Sequence, residues 1–105
     1  MNIYISNIKH KKFADQISKC IDESAKMRGT GIARRTPEYI IKKIEAGNAV
    51  IALDKEEFAG FCYIERWGHG KYVAHSGLIV APKFRRQGLA KKIKTEIFTL
   101  SKKKY

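Results

Sequence analysis

The stretch Gly77-Leu78-Ile79-Val80-Ala81-Pro82-Lys83-Phe84-Arg85-Arg86-Gln87-Gly88-Leu89-Ala90 decides how this 105-residue chain is read. Tyr72 to Val80 is a strand-length run, and Gly77 within it signals a bulge or a close approach by another group. Pro82, which has no N–H to give a sheet ladder, ends the run. A short basic loop then leads into a helix starting near Gln87. At about 100° per residue, Leu89, Ala90, Ile93, Ile97 and Leu100 share one face of it. Lys91, Lys94 and Lys102 point away from that stripe, and Phe98 also lies off it. The first turn of a helix leaves backbone N–H groups unpaired, and the helix dipole favours an anion there. Gly88 lets a phosphate come close to the backbone, Ala90 keeps the next turn open, and Arg85 and Arg86 add charge beside it. Together these features make a diphosphate cradle. Its glycine spacing is that of neither a Walker loop nor a dinucleotide fingerprint.

Upstream, Gly68-His69-Gly70-Lys71 reads as a turn, Phe58 to Trp67 as a strand, Asp54 to Glu57 as a polar turn and Ala49 to Leu53 as a short apolar strand. Thr36-Pro37-Glu38 starts a helix over about 37–46: threonine caps, proline suits the first helical position and a glutamate follows. Ile40, Ile41 and Ile44 are its stripe and Gly47 its stop. Between 7 and 27, Phe13, Ile17, Cys20, Ile21 and Ser24 fall at helical spacing, and Arg28-Gly29-Thr30-Gly31 breaks that helix. Residues 2–6 form a first short strand. The result is a single domain over 1–105 with the order β-α-α-β-β-β-α.

With 44% hydrophobic and 30% charged residues, the composition is that of an ordinary folded domain with a modest core. The N-terminus turns charged by Lys9 and has no apolar signal core, and no run approaches the ~20 apolar residues of a membrane helix. A cytoplasmic protein without membrane contact is expected. Cys20 and Cys62 make no CxxC pair and the histidines do not cluster, so no metal is expected and both thiols read as buried small hydrophobes. The formal charge is +12, and Lys83 to Tyr105 holds nine basic residues against the single acid Glu96. Such a field attracts a polyanion: nucleic acid, an acidic membrane or a phosphate-rich cofactor. The absence of interleaved aromatics, and arginines gathered at one strand-to-helix turn, argue against nucleic acid.

The 77–90 stretch resembles the cofactor signature of the GNAT superfamily of N-acetyltransferases, Gln/Arg-x-x-Gly-x-Gly/Ala, with Arg85, Gly88 and Ala90 in its three defined positions. The signature follows a strand ending in Leu-x-Val-x-Pro and opens an amphipathic helix, and the upstream order of elements matches the family's first half. The resemblance thus spans essentially the whole chain. It implies an α/β fold with a mixed, mostly antiparallel sheet flanked by helices. It also implies acetyl-coenzyme A as acyl donor and a primary amine as acceptor, attacking directly in a ternary complex. Backbone amides of Gln87, Gly88, Leu89 and Ala90, with Arg85 and Arg86, would hold the diphosphate. The backbone of Leu78, Ile79 and Val80 would pair with the pantetheine arm as an added strand does. Ile-Ala-Arg-Arg at 32–35 and Gly-Phe-Cys-Tyr-Ile-Glu at 60–65 are faintly similar to amino-acid N-acetyltransferases such as acetylglutamate synthases.

The family's domain normally continues with more strands and a helix bearing the tyrosine that often protonates the leaving thiolate. The resemblance therefore implies a domain lacking its C-terminal strands and helix, either a piece of a longer protein or one whose open sheet associates, for instance with another copy. Turnover by the chain on its own does not follow from it. A coenzyme A-binding remnant without turnover and a small basic nucleic-acid module are the alternatives. His75 and Glu65 are the candidate acid–base groups and Glu23 a further carboxylate for an amine, against the blander reading of a packed histidine and solvated carboxylates. Trp67 reads as an acceptor-pocket wall or as an aromatic closing the core. Arg34 and Arg35 read as contacts to an acidic acceptor or as solvent-facing charges. Lys102 to Lys104 read as a solvated helix end.

Overall fold

Apolar runs of strand length and apolar residues at helical spacing become elements close to where the sequence puts them. The computed structural model describes residues 1–28, 36–67 and 72–104. Its elements are β1 (Asn2–Ile5), a first 3₁₀ turn (Ile8–Phe13), α1 (Ala14–Arg28), α2 (Pro37–Glu45), β2 (Ala49–Asp54), β3 (Glu57–Trp67), β4 (Tyr72–Val80), a second 3₁₀ turn (Pro82–Phe84) and α3 (Leu89–Lys104). The expected order β-α-α-β-β-β-α is the observed one. The turns read at 29–31 and 68–71, and the residues Arg34, Arg35 and Tyr105, lie outside the described residues, as does the Trp67 side chain.

The strands lie in the order β1-β2-β3-β4. The sheet, expected to be mixed and mostly antiparallel, is antiparallel throughout over the described residues. Side chains alternate across a strand, and here each face has its own cover. On one face lie α1 and α2: the Phe13 and Phe58 rings are 6.4 Å apart, and Tyr39 of α2 meets Tyr63 of β3 edge-on at 5.7 Å. On the other lies α3, whose stripe Leu89, Ile93, Ile97 and Leu100 is buried. Ala90, placed on the same stripe, is exposed because it sits in the first turn, at the rim of the sheet. A Cβ on Gly60 would come within 2.5 Å of the Ile93 Cδ1, which is how closely α3 presses on the centre of β3. β2, covered on both faces, is buried from Ala49 to Leu53. Burying one such aliphatic side chain contributes roughly 1.5–3 kcal/mol, so this three-layer core supplies the main stabilising term.

Four details depart from the sequence reading. The helix expected from about residue 7 opens as a 3₁₀ turn. Asn7 closes it reciprocally: its side chain accepts from the Lys9 N–H at 2.9 Å, and its own N–H donates to the His10 Nδ1 at 3.1 Å. Three-residue winding stacks His10 above Phe13, and both are buried. The last helix begins at Leu89 because Arg86 and Gly88 hold left-handed φ values of 65° and 76°, which no helix continues through. The terminal lysines are not simply a solvated end. Lys104 donates to the Ala46 carbonyl at 2.9 Å and to Asn48 Oδ1 at 2.6 Å, capping α2, and Lys102 lies 4.8 Å from the Phe98 ring centroid. Finally, β3 carries an irregularity opposite Ala52/Leu53 that the apolar pattern hides.

Candidate functional site

The strand-to-helix turn is built as a concave run of backbone. The first α3 bond to close runs from the Lys92 N–H to the Gly88 carbonyl at 3.4 Å, so the N–H groups of Leu89, Ala90 and Lys91 lie ahead of it without intrahelical acceptors. Left-handed φ at Arg86 and Gly88, two residues apart, folds the preceding backbone around the same point, the kind of geometry that makes anion-binding concavities. A Cβ on Gly88 would meet nothing within 4 Å, so the space in front of it is open. Arg86, Gln87, Gly88 and Ala90 are exposed around that space, and Leu89 is buried beneath it. Arg85, exposed beside that space, is also anchored. Its Nε donates to the Val80 carbonyl at 3.1 Å, bracing the turn against the end of β4.

That bond also reveals which groups β4 offers at its outer edge. The Ala81 N–H donates to the Ala59 carbonyl at 2.8 Å, so Ala81 and, two residues back, Ile79 face β3. Val80 and Leu78 therefore turn their peptide groups away from β3. Of the three residues expected to pair with an added strand, Val80 and Leu78 present that edge and Ile79 does not. Between the pairs Phe61↔Ile79 and Tyr63↔Ser76, β4 has one residue more than β3, a bulge at Gly77 and Leu78. Both readings of Gly77 hold: it is at a bulge with φ 63°, and a Cβ there would lie 2.3 Å from the Tyr63 ring.

The structure separates the two candidate acid–base groups. Ser76 stands opposite Tyr63 and His75 opposite Ile64, so alternation puts them on opposite faces. Glu65 belongs to the face of α1 and α2. Its Oε1 accepts from the Tyr39 hydroxyl at 2.8 Å and its Oε2 from the Ser76 hydroxyl at 3.2 Å. Lys43 stands in the same cluster, with its ammonium 5.5 Å from the Tyr39 ring, 5.6 Å from the Tyr63 ring and 2.9 Å from the Ile64 carbonyl it donates to. His75 belongs to the face of α3 and meets the off-stripe Phe98 edge-on at 6.0 Å. Burial, then the charge of Lys94, holds the His75 pKa below its ordinary value. Glu65 and His75 thus stand on opposite faces of the sheet. Glu23 lies elsewhere, on α1, beside a cavity of about 230 Å³ shared with Cys20, Ala81 and Pro82.

Tyr39, Lys43 and Ser76 carried no signal in the sequence. Tyr39 and Glu65 are 26 residues apart, and only the packing of α2 across β3 joins them. Cys20 and Cys62 are buried free thiols, and burial pushes the Cys62 pKa up to about 11, far from a reactive thiolate. Among the described residues no three His, Cys, Asp or Glu side chains gather as a metal site would require. Nor is any described helix long and apolar enough to cross a membrane.

Comparison with known proteins gives one family match and several structural ones. The profile described as Acetyltransferase (GNAT) family matches residues 21–104. No curated protein sequence matches. Diaminobutyrate acetyltransferase from Paenibacillus lautus, in complex with L-2,4-diaminobutyric acid and coenzyme A, superposes with a TM-score of 0.69 at 16% identity over 91% of this chain and 55% of its own. N-acetylglutamate synthase from Neisseria gonorrhoeae, with coenzyme A and N-acetyl-glutamate, gives 0.73 at 15% identity over 96% of this chain and 22% of its own. A putative GNAT family acetyltransferase from Staphylococcus aureus gives 0.77 at 17% identity over 98% of this chain and 92% of its own. At such identities the likeness is one of fold, and the chain spans about half the length of the diaminobutyrate enzyme.

Proposed function

This chain belongs to the GNAT acetyltransferase family, and from that premise we propose that it binds acetyl-coenzyme A at the 85–90 turn and offers its thioester to a primary amine. The observation that carries the reading is the turn itself: an open-edged strand runs into a backbone concavity at a helix N-terminus, with clear space before Gly88. The diphosphate takes the N–H groups from Gln87 to Ala90, with Arg86 beside them and Arg85 bracing the turn. The pantetheine arm runs back along the outer edge of β4, pairing at Val80 and Leu78. A strand rises about 3.3 Å per residue, so Val80 to Ser76 covers ~13 Å and brings the thioester end to the bulge at Gly77.

There the acceptor meets the α2 face of the sheet. Glu65 receives the amine and takes its proton, and His75, on the far face, is the competing base. The neutral amine attacks the thioester carbon, a C–N bond forms, the C–S bond breaks, and the thiolate leaves to be protonated. The amino-acid ligands held by the diaminobutyrate enzyme and the synthase support an amino acid as the source of that amine. A donor that cells keep internally also favours the cytoplasm as the site of action.

Calorimetric titration with acetyl-coenzyme A tests the reading. Saturable one-site binding, competed by free coenzyme A and abolished by Gly88→Glu in a folded protein, is the expected result. Undiminished binding by Gly88→Glu would put the donor elsewhere. An acceptor screen then compares Glu65→Gln with His75→Gln: loss of transfer without loss of donor affinity in the first, and not the second, is expected.

A further inference from the structure

The end of the sheet that carries the 85–90 turn also carries, near the opposite edge, a basic cavity with no part in that site. β2 and β4 finish at the same end of the sheet, two strands apart, and β1 lies one strand further, so the two places are separated by roughly 10–14 Å. The cavity, about 210 Å³, opens between the first 3₁₀ turn, β1 and the β2–β3 hairpin, and its polar lining is Tyr4, Lys9, His10, Lys12, Lys55 and Glu56. Among the described residues Lys9, Lys12 and Lys55 form no salt bridge. The neighbouring Glu57 is taken by Lys83 at 3.0 Å. Three ammonium groups against the one carboxylate of Glu56 leave the cavity positive.

Two further observations point to a ligand. His10 is only 8% exposed, with its ring centroid 5.8 Å from that of Tyr4. Its Nδ1 accepts the Asn7 N–H, so the neutral ring carries its proton on Nε2, and no described residue accepts from that nitrogen. Lys55, second, has φ 59° in the tight turn between Asp54 and Glu57. Glycine adopts that conformation freely and lysine does so at a cost, yet the lysine is there with its side chain on the cavity. Burial, then Lys12 and Lys9, holds the His10 pKa below its usual value, so the lysine fields converge on this ring.

We propose that the cavity is a second anion site, which takes a small phosphorylated molecule by its phosphoryl group. Lys9, Lys12 and Lys55 supply the charge, and the His10 Nε2–H supplies a directed donor. Point-charge ammonium groups suit a tetrahedral, many-oxygen acceptor, whereas a planar carboxylate calls for an arginine fork, and the cavity has none. The site is independent of the acyl-donor reading.

The test is titration of the labelled full chain with inorganic phosphate and with glycerol 3-phosphate at constant ionic strength, following the His10 ring nitrogens by long-range ¹H–¹⁵N NMR. The expected result is a saturable shift of His10 Nε2 and a rise in its pKa, since an anion favours the charged ring. Lys12→Gln and Lys55→Gly each weaken the binding about three- to tenfold. Lys55→Gly also relieves the left-handed φ, so its melting temperature holds or rises and lost binding cannot be put down to unfolding. Gly88→Glu leaves the response intact. Tighter binding of the glycerol ester identifies an organic phosphate, and equal binding identifies the free ion. Shifts that grow linearly and match those given by chloride overturn the proposal. So does a response untouched by both lysine variants, or one lost in Gly88→Glu.

Discussion

Two glycines show how one residue type answers different demands. Gly77 and Gly88 both hold left-handed φ, which costs an L side chain roughly 1–2 kcal/mol. At Gly88 that is the whole penalty, because a Cβ meets nothing. At Gly77 the Cβ would drive into the Tyr63 ring, adding an overpacking cost of about 1–3 kcal/mol. Chemical denaturation should therefore find Gly77→Ala the more damaging by at least 1 kcal/mol or so, and a smaller side chain at Tyr63 should recover part of the difference. Equal losses at the two positions would mean that the Tyr63 ring does not press on Gly77.

Two histidines set how the stability of the fold follows pH. His10 and His75 are both harder to protonate in the fold than their ordinary value of 6.5, through burial first and neighbouring lysines second. Below that value the unfolded chain binds protons better. Their stability contribution is thus complete above about 6.5 and lost as pH falls through the lowered folded values. Thermal melts from pH 8 to about 5 should be flat and then decline. His10→Gln should lessen the decline, since glutamine at that capping-box position can still accept the Asn7 N–H. An unchanged slope in that variant would remove His10 from the account.

Elements were legible where periodicity is long and caps are conventional. Thr36-Pro37 announced α2, and the Thr36 hydroxyl does accept the Tyr39 N–H at 3.2 Å. The stripe of α3 was readable because Ile93, Ile97 and Leu100 repeat at helical spacing. Gly77 marked the bulge in β4, whereas the irregularity in β3 was not readable, since an extra residue in a strand is set by what lies across from it. The Tyr39–Glu65–Ser76 cluster was invisible for the same reason: it unites three elements through tertiary packing. The strand-to-helix turn at 85–90 was legible because it is local, a run of consecutive residues between a strand end and a helix start. If an added strand of ligand pairs along the outer edge of β4, hydrogen exchange at the Val80 and Leu78 amides should slow on adding coenzyme A, while Ile79, turned toward β3, should change little. Uniform slowing along β4 would instead indicate general stabilisation of the sheet.

For the whole molecule the question is what a charge of +12 is for. Along α3 the rise is about 1.5 Å per residue, so Lys91, Lys92 and Lys94 lie within ~8 Å of the first turn and Lys103 lies roughly 20 Å away. The Debye length is about 8–10 Å at ordinary salt. An anionic donor at the 85–90 turn is consequently drawn by the first group and screened from Lys103. A nucleic-acid backbone laid along the helix would use both ends alike. Neutralising Lys91 and Lys92 together should weaken coenzyme A binding several-fold at low salt and flatten its salt dependence, whereas Lys103→Gln should do neither. Each lysine is exposed on a solvated helix face, so the substitutions leave the core untouched. If Lys103→Gln costs as much as the pair near the turn, the basic surface acts as one extended stripe, and a polyanion longer than coenzyme A becomes the better account of it.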